Sequence, residues 1–186
     1  MPKWNSQNTC MLLVDIQEKL LPVITGHETV LLNSIRLLKA ARIFQTPLLV
    51  TEQYPKGIGP TVAALKELFP AGTPTPTKIL SKTTFSCCGA PGFSEALDSL
   101  NRPFTILFGI ETHICLLATL EELQAEGRNV LLAADACGSR NPEHHALALD
   151  AARACGAAVL PTETLIYRML GDSARPEFKE LLPLFK

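Results

Sequence analysis

Short apolar runs alternate along this chain with longer stretches of helical spacing. Residues 10–14 read C-M-L-L-V and stop at Asp15, the pattern of a buried strand. Residues 30–44 carry Leu31, Ile35, Leu38 and Ile43 on one face with Arg36 and Lys39 outside, which predicts a helix. Thr46-Pro47 ends it, and Leu48-Leu49-Val50 is a second strand. After a Gly/Pro loop at 54–60, residues 62–69 read as a helix, and the Pro/Thr stretch at 70–77 as a loop inside one domain. Residues 78–81 form a third strand. Pro91 opens a helix to about Leu100 from its favoured first-turn place. F-T-I-L-F at 104–108 is a fourth strand, 114–126 a helix with a leucine stripe, and 130–134 a fifth strand ending at Asp135. Residues 142–155 are helical, Gly156 stops them, 158–160 give a sixth strand, and the remainder is helical.

This alternation predicts a three-layer α/β/α fold with a six-stranded, mainly parallel, Rossmann-like sheet. The strands are continuously apolar rather than alternating, as when helices cover both faces. A length of 186 residues fits one domain spanning the chain, with 47% hydrophobic and 19% charged residues arguing against disorder. The net charge of −1 argues against a general nucleic-acid or anionic-membrane binder. The polar start and short first apolar run give no signal peptide or membrane span, so the expected location is cytoplasmic. The six cysteines show no C-x-x-C pair, which leaves a zinc ribbon or thioredoxin motif unsupported.

Ligands of open α/β sheets bind beyond the carboxyl ends of the strands. Asp15 stands there after the first strand, Glu52 and Gln53 after the second, and Lys82 after the third. Gly109 to His113 leads from the fourth to Cys115. With Thr112 as N-cap, Cys115 falls in the first helical turn, where the helix end and Lys82 would favour a thiolate and Asp15 could take its proton. Spacing alone leaves Cys115 equally open to simple core packing, Asp15 to capping a turn, and Lys82 to competition from Lys78. Arg140 and Asp135 could pair to fix a loop, His144-His145 reads as a surface feature, and Cys87-Cys88 as a loop feature. Gly57-Ile58-Gly59 lacks a third glycine, which weakens a nucleotide-binding reading.

Three segments resemble the isochorismatase-like cysteine hydrolases, nearest to their isochorismatase domain-containing group. They are L-L-V-D-I-Q at 12–17, K-T-T-F-S at 82–86 and G-I-E-T-H-I-C-L-L-A-T at 109–119, with T-E-Q-Y-P-K-G at 51–57 pointing to that group. The resemblance implies a hydrolase cleaving a small-molecule amide-type C–N bond through a thioester. Cys115 would be the nucleophile, Asp15 the general base and acid, and Lys82 the residue that positions both. It also implies a cis peptide at Ile110–Glu111 and an oxyanion hole of the Glu111 and Cys115 N–H groups, each such donor being worth about 3 kcal/mol of barrier. Homo-oligomers, dimers or larger, are expected.

The metal-binding Asp-x-His of nicotinamidases has no counterpart at 52–56, so no metal and no cofactor are expected. Vinyl-ether cleavage of isochorismate needs no thiol, and Cys115 therefore points to amide-type chemistry. Gln53, Phe85 and His113 are candidate substrate-pocket residues. The competing reading is a non-catalytic partner protein that keeps the hydrolase fold.

Overall fold

A computed structural model describes residues 3–70 and 76–186. Six strands form one all-parallel sheet: β1 (Thr9–Val14), β2 (Leu48–Gln53), β3 (Lys78–Lys82), β4 (Phe104–Ile110), β5 (Asn129–Gly138) and β6 (Ala158–Leu160). Their order across the sheet is β3-β2-β1-β4-β5-β6. The central strands β1 and β4 are buried at every position. That follows from their unbroken apolar sequence, since each faces a helical layer on both sides.

On one face α1 (His27–Phe44) packs with α3 (Ala63–Lys66), α7 (Thr162–Leu170) and α8 (Glu177–Leu181). Between β2 and α3 lies the short α2 (Pro55–Ile58). The turn Cys87–Gly89 joins α4 (Phe93–Ser99) and α5 (Leu117–Ala125), and α5 packs on α6 (Pro142–Ala154). The chain leaves β1 for β2 and β3 on one side and returns through β4 to β5 and β6 on the other. The order therefore reverses between β1 and β4, the place beyond whose carboxyl ends open α/β sheets bind their ligands.

Four boundaries differ from expectation. The α3 helix is one turn, not the whole of 62–69. Pro91 stands outside α4, because Gly92 at φ 77 turns the chain into the helix and takes the N-cap place. Asp135 lies within β5, not at its end. The register of β4 and β5 shifts between Leu107 and Gly109, after which pairing resumes at Gly109–Cys137 and Ile110–Gly138. Residues 112–116 form one π-helical turn before α5. The linker at 70–77 lies mostly outside the described residues.

Candidate functional site

The reversal of strand order brings Asp15, Lys82 and Cys115 together. Asp15 follows β1 directly and takes a left-handed backbone (φ 55), which is costly for a residue with a Cβ and clusters at functional sites. Lys82 closes β3. Cys115 sits in the π-turn after β4, a local geometry frequent at functional sites. Lys82 Nζ lies 2.7 Å from Asp15 Oδ2 and 3.5 Å from Cys115 Sγ. Both side chains of the ion pair are fully buried.

Burial works to lower the Lys82 pKa, but the adjoining Asp15 outweighs it, so the pKa is raised and the ammonium persists. Burial, and then the Asp15 carboxylate, push the Cys115 thiol up to about 12 against the opposing Lys82 charge. The expectation of a resting thiolate is thereby corrected. Desolvation exceeds the help of the lysine, the thiol is the resting form, and it is hydrogen-bonded to Asp15. Asp15 Oδ1 accepts the Thr51 hydroxyl at 2.8 Å. Oδ2 faces the Lys82 ammonium in the buried ion pair.

The Ile110–Glu111 peptide bond is cis. Just before it, Gly109 has φ 134, and a Cβ there would strike the Val14 carbonyl oxygen. Glycine is thus required where β4 runs beside Val14 of β1. Thr112 is not the N-cap; Glu111 is, without a side-chain cap bond, while Thr112 Oγ1 meets His145 Nδ1 at 2.9 Å. Glu111 Oε2 instead accepts the backbone N–H of Arg140 at 2.8 Å and its Nε at 3.2 Å. Arg140 therefore pairs with Glu111, not Asp135. Asp135 Oδ1 accepts both the N–H and hydroxyl of Thr162, each at 2.7 Å, and holds the start of α7.

Residues 9–164 match the Isochorismatase domain family. The chain belongs to that family. It is 36% identical over 181 residues to mouse Isochorismatase domain-containing protein 2A, covering 97% of this chain and 84% of that one. The human Isochorismatase domain-containing protein 2 is 36% identical over 180 residues, covering 96% and 83%. Among solved structures, "MAR1 Ribonuclease" from Caenorhabditis elegans superposes with a TM-score of 0.91 at 36% identity, over 99% of this chain and 92% of that chain. The YcaC gene product of Escherichia coli, described as an octameric hydrolase of unknown specificity, gives 0.89 at 23%, over 100% and 90%. The three-layer α/β fold with its parallel sheet is that of isochorismatase-family hydrolases.

In this isochorismatase-family chain the other expected pocket residues have definite partners. Gln53 points at Lys82, its Oε1 2.6 Å from Nζ. Phe85 accepts from Lys82 through its carbonyl at 3.0 Å, while its ring is 63% exposed. His113 Nδ1 meets Ser139 Oγ at 2.9 Å, and its ring centroid lies 5.0 Å from that of His144. Burial lowers the His113 pKa, so the imidazole is neutral at pH 7. Glu52 is structural: it accepts the Thr61 N–H and hydroxyl at 2.7 and 2.8 Å. His145 is half-buried on Thr112, not a surface feature.

Sequence reasoning missed Thr51, Thr119 and the placement of Cys87. Thr119 donates to the Cys115 carbonyl at 2.6 Å and accepts the Cys87 N–H at 2.9 Å. Cys87 is buried with its Sγ 3.5 Å from Thr51 Oγ1, and burial together with Asp15 raises its pKa to about 11. The Thr that directly follows the apolar run Leu48–Val50 was the available signal for Thr51. Among the described residues no three His, Cys, Asp or Glu side chains cluster for a metal. No helix among them is long and apolar enough to cross a membrane.

Proposed function

We propose that this protein, acting as a single domain, hydrolyses an amide-type C–N bond of a small molecule through Cys115, Asp15 and Lys82. The observation that carries this reading is the buried Lys82 ammonium, 2.7 Å from the Asp15 carboxylate and 3.5 Å from the Cys115 sulfur. A scaffold has no use for a buried ion pair set against a thiol, because such pairs repay their desolvation poorly.

The thiol proton passes to Asp15 as sulfur attacks the carbonyl carbon. The N–H groups of Glu111 and Cys115 receive the oxyanion. Protonated Asp15 then gives its proton to the departing amine, leaving a thioester. Asp15 next accepts a proton from water, which attacks the thioester, and the returning proton regenerates the thiol with release of a carboxylic acid. Lys82 stays charged throughout and balances whichever of Asp15 and Cys115 is anionic. Water is the only co-substrate this sequence requires. The family resemblance and the octameric E. coli neighbour support a homo-oligomer, to be checked by light scattering.

The test is ammonia release across a panel of primary amides, with hydroxylamine to trap a thioester as the hydroxamate. Wild-type protein is expected to release ammonia and form the hydroxamate, and both Cys115→Ala and Asp15→Asn to do neither. Hydrolysis that survives Cys115→Ala would overturn the mechanism. Cleavage of a structured RNA, retained in Cys115→Ala, would instead favour the activity named for the C. elegans neighbour.

A further inference from the structure

We infer that Thr119 is a positioning residue that sets the Cys115 sulfur against the Lys82 ammonium by joining the two chain segments that carry them. The inference rests on the reading of Asp15, Lys82 and Cys115 given above. A hydroxyl has one proton to donate and lone pairs with which to accept. Thr119, fully buried on α5, uses both. It donates to the Cys115 carbonyl at 2.6 Å and accepts the Cys87 N–H at 2.9 Å. Cys115 stands where the π-turn passes into α5, and that turn is wide: the Leu116 N–H bonds the Glu111 carbonyl, five residues back. Thr119 lies four residues beyond Cys115, the spacing at which a threonine hydroxyl reaches back to a helical carbonyl. Its grip therefore falls on the backbone of the nucleophile itself.

The other end of the grip reaches the lysine. Lys82 Nζ donates to the Phe85 carbonyl at 3.0 Å and to the Thr84 carbonyl at 3.2 Å, so the chain just after β3 places the ammonium. That chain is braced internally, since Thr84 Oγ1 donates to the Ser86 carbonyl at 2.8 Å. Fixing the Cys87 N–H therefore fixes the carbonyls just before it. Cys87 also holds its Sγ 3.5 Å from Thr51 Oγ1, and the Thr51 hydroxyl donates to Asp15. One buried hydroxyl thus ties the nucleophile turn to the segment that holds the lysine and borders the base. The 3.5 Å contact of Nζ with Sγ is the distance this tie sets. Valine has nearly the shape of threonine without the hydroxyl. In its place the Cys115 carbonyl is released and the Cys87 N–H is left buried without a partner. The Lys82 charge opposes the upward push on the Cys115 thiol, so a longer contact weakens its support of the thiolate.

The experiment compares Thr119→Val with Thr119→Ser in two readouts. One is kcat and KM for an amide substrate. The other is the rate of Cys115 alkylation by iodoacetamide at pH 8, read by peptide mass with exposed Cys155 as internal reference. Thr119→Val is expected to lower kcat by about tenfold at constant KM, a fraction of the roughly hundredfold cost of a misplacement of about 1 Å. Cys115 alkylation should slow by about threefold, the effect of about half a pKa unit, with Cys155 unchanged. Thr119→Ser keeps the hydroxyl and should restore both. If Thr119→Val does not fold, Thr119→Ala takes its place with the same expected losses, because water can then satisfy the Cys87 N–H but fixes neither segment. Wild-type kcat and alkylation in the folded variant, whatever its melting temperature, assign Thr119 a stabilising role only and overturn the inference. Faster alkylation of Cys115 also overturns it, as does a Thr119→Ser protein as impaired as Thr119→Val. Cys115→Ala is the control on the underlying site. If it abolishes hydrolysis and the Thr119 variants match wild type, this inference fails and the site reading stands. Hydrolysis that survives Cys115→Ala removes the site reading itself.

Discussion

The Thr51 hydroxyl donates to Asp15 Oδ1 at 2.8 Å, and Thr51 Oγ1 also lies 3.5 Å from Cys87 Sγ. One carboxylate oxygen is thereby fixed by β2 while the other faces Lys82. Removing the hydroxyl leaves a buried charged acceptor short of a donor. Thr51→Val is expected to cost about 1–3 kcal/mol in urea unfolding, and Thr51→Ser much less, because serine retains the donor. Equal costs for the two would point to lost packing instead of the hydrogen bond.

Alkaline pH should destabilise the fold. Burial raises Cys87 from 9.0 to about 11 and Cys115 from 9.0 to about 12, and the Lys82 pKa is also raised, from 10.5. Above pH 9 the unfolded chain loses thiol protons that the native state retains, so the native state binds more protons and stability falls as pH rises. The contribution is fully present below pH 9 and is lost as pH climbs through the folded values. Unfolding midpoints measured between pH 7 and 11 are expected to be flat up to about 9 and to decline beyond it. Cys87→Ser should reduce the decline.

The pair formed by Glu111 and Arg140 separates a surface effect from a buried one. Arg140 is mostly exposed, whereas the Glu111 side chain is 10% exposed and also accepts the Arg140 backbone N–H. Arg140→Ala is expected to cost less than about 1 kcal/mol, since exposed ion pairs contribute little. Glu111→Ala orphans the backbone donor as well and is expected to cost about 1–3 kcal/mol in the same unfolding assay.

Gly109→Ala tests the contact of β4 with the Val14 carbonyl of β1. An added methyl at φ 134 meets the Val14 carbonyl, which is backbone and has nowhere to move. The expected loss exceeds about 3 kcal/mol, seen as insoluble protein or a collapsed thermal transition.

The apolar runs were enough to place β1, β2, β4 and β6 and the sheet's parallel character, because strands covered by helices on both faces carry unbroken apolar runs, as β1 and β4 do. Three motif segments likewise pointed to Asp15, Lys82 and Cys115, whose residue types announce their chemistry at strand ends. Local signals failed at Asp135 and Pro91. The first is carried inside β5 by the register shift opposite Gly109, and the second is displaced by the left-handed entry of Gly92.

The linear sequence therefore determined the layers, the succession of strands and helices and the chemical identity of the three central side chains. The thiol form of Cys115, the ion pair of Asp15 with Lys82 and the contact of Gln53 Oε1 with the same ammonium were decided only by the tertiary structure. Protonation and donor sharing depend on the depth of burial and on which acceptors surround one ammonium. Those quantities arise when residues 15, 53, 82 and 115 meet in three dimensions, and no spacing along the chain encodes them.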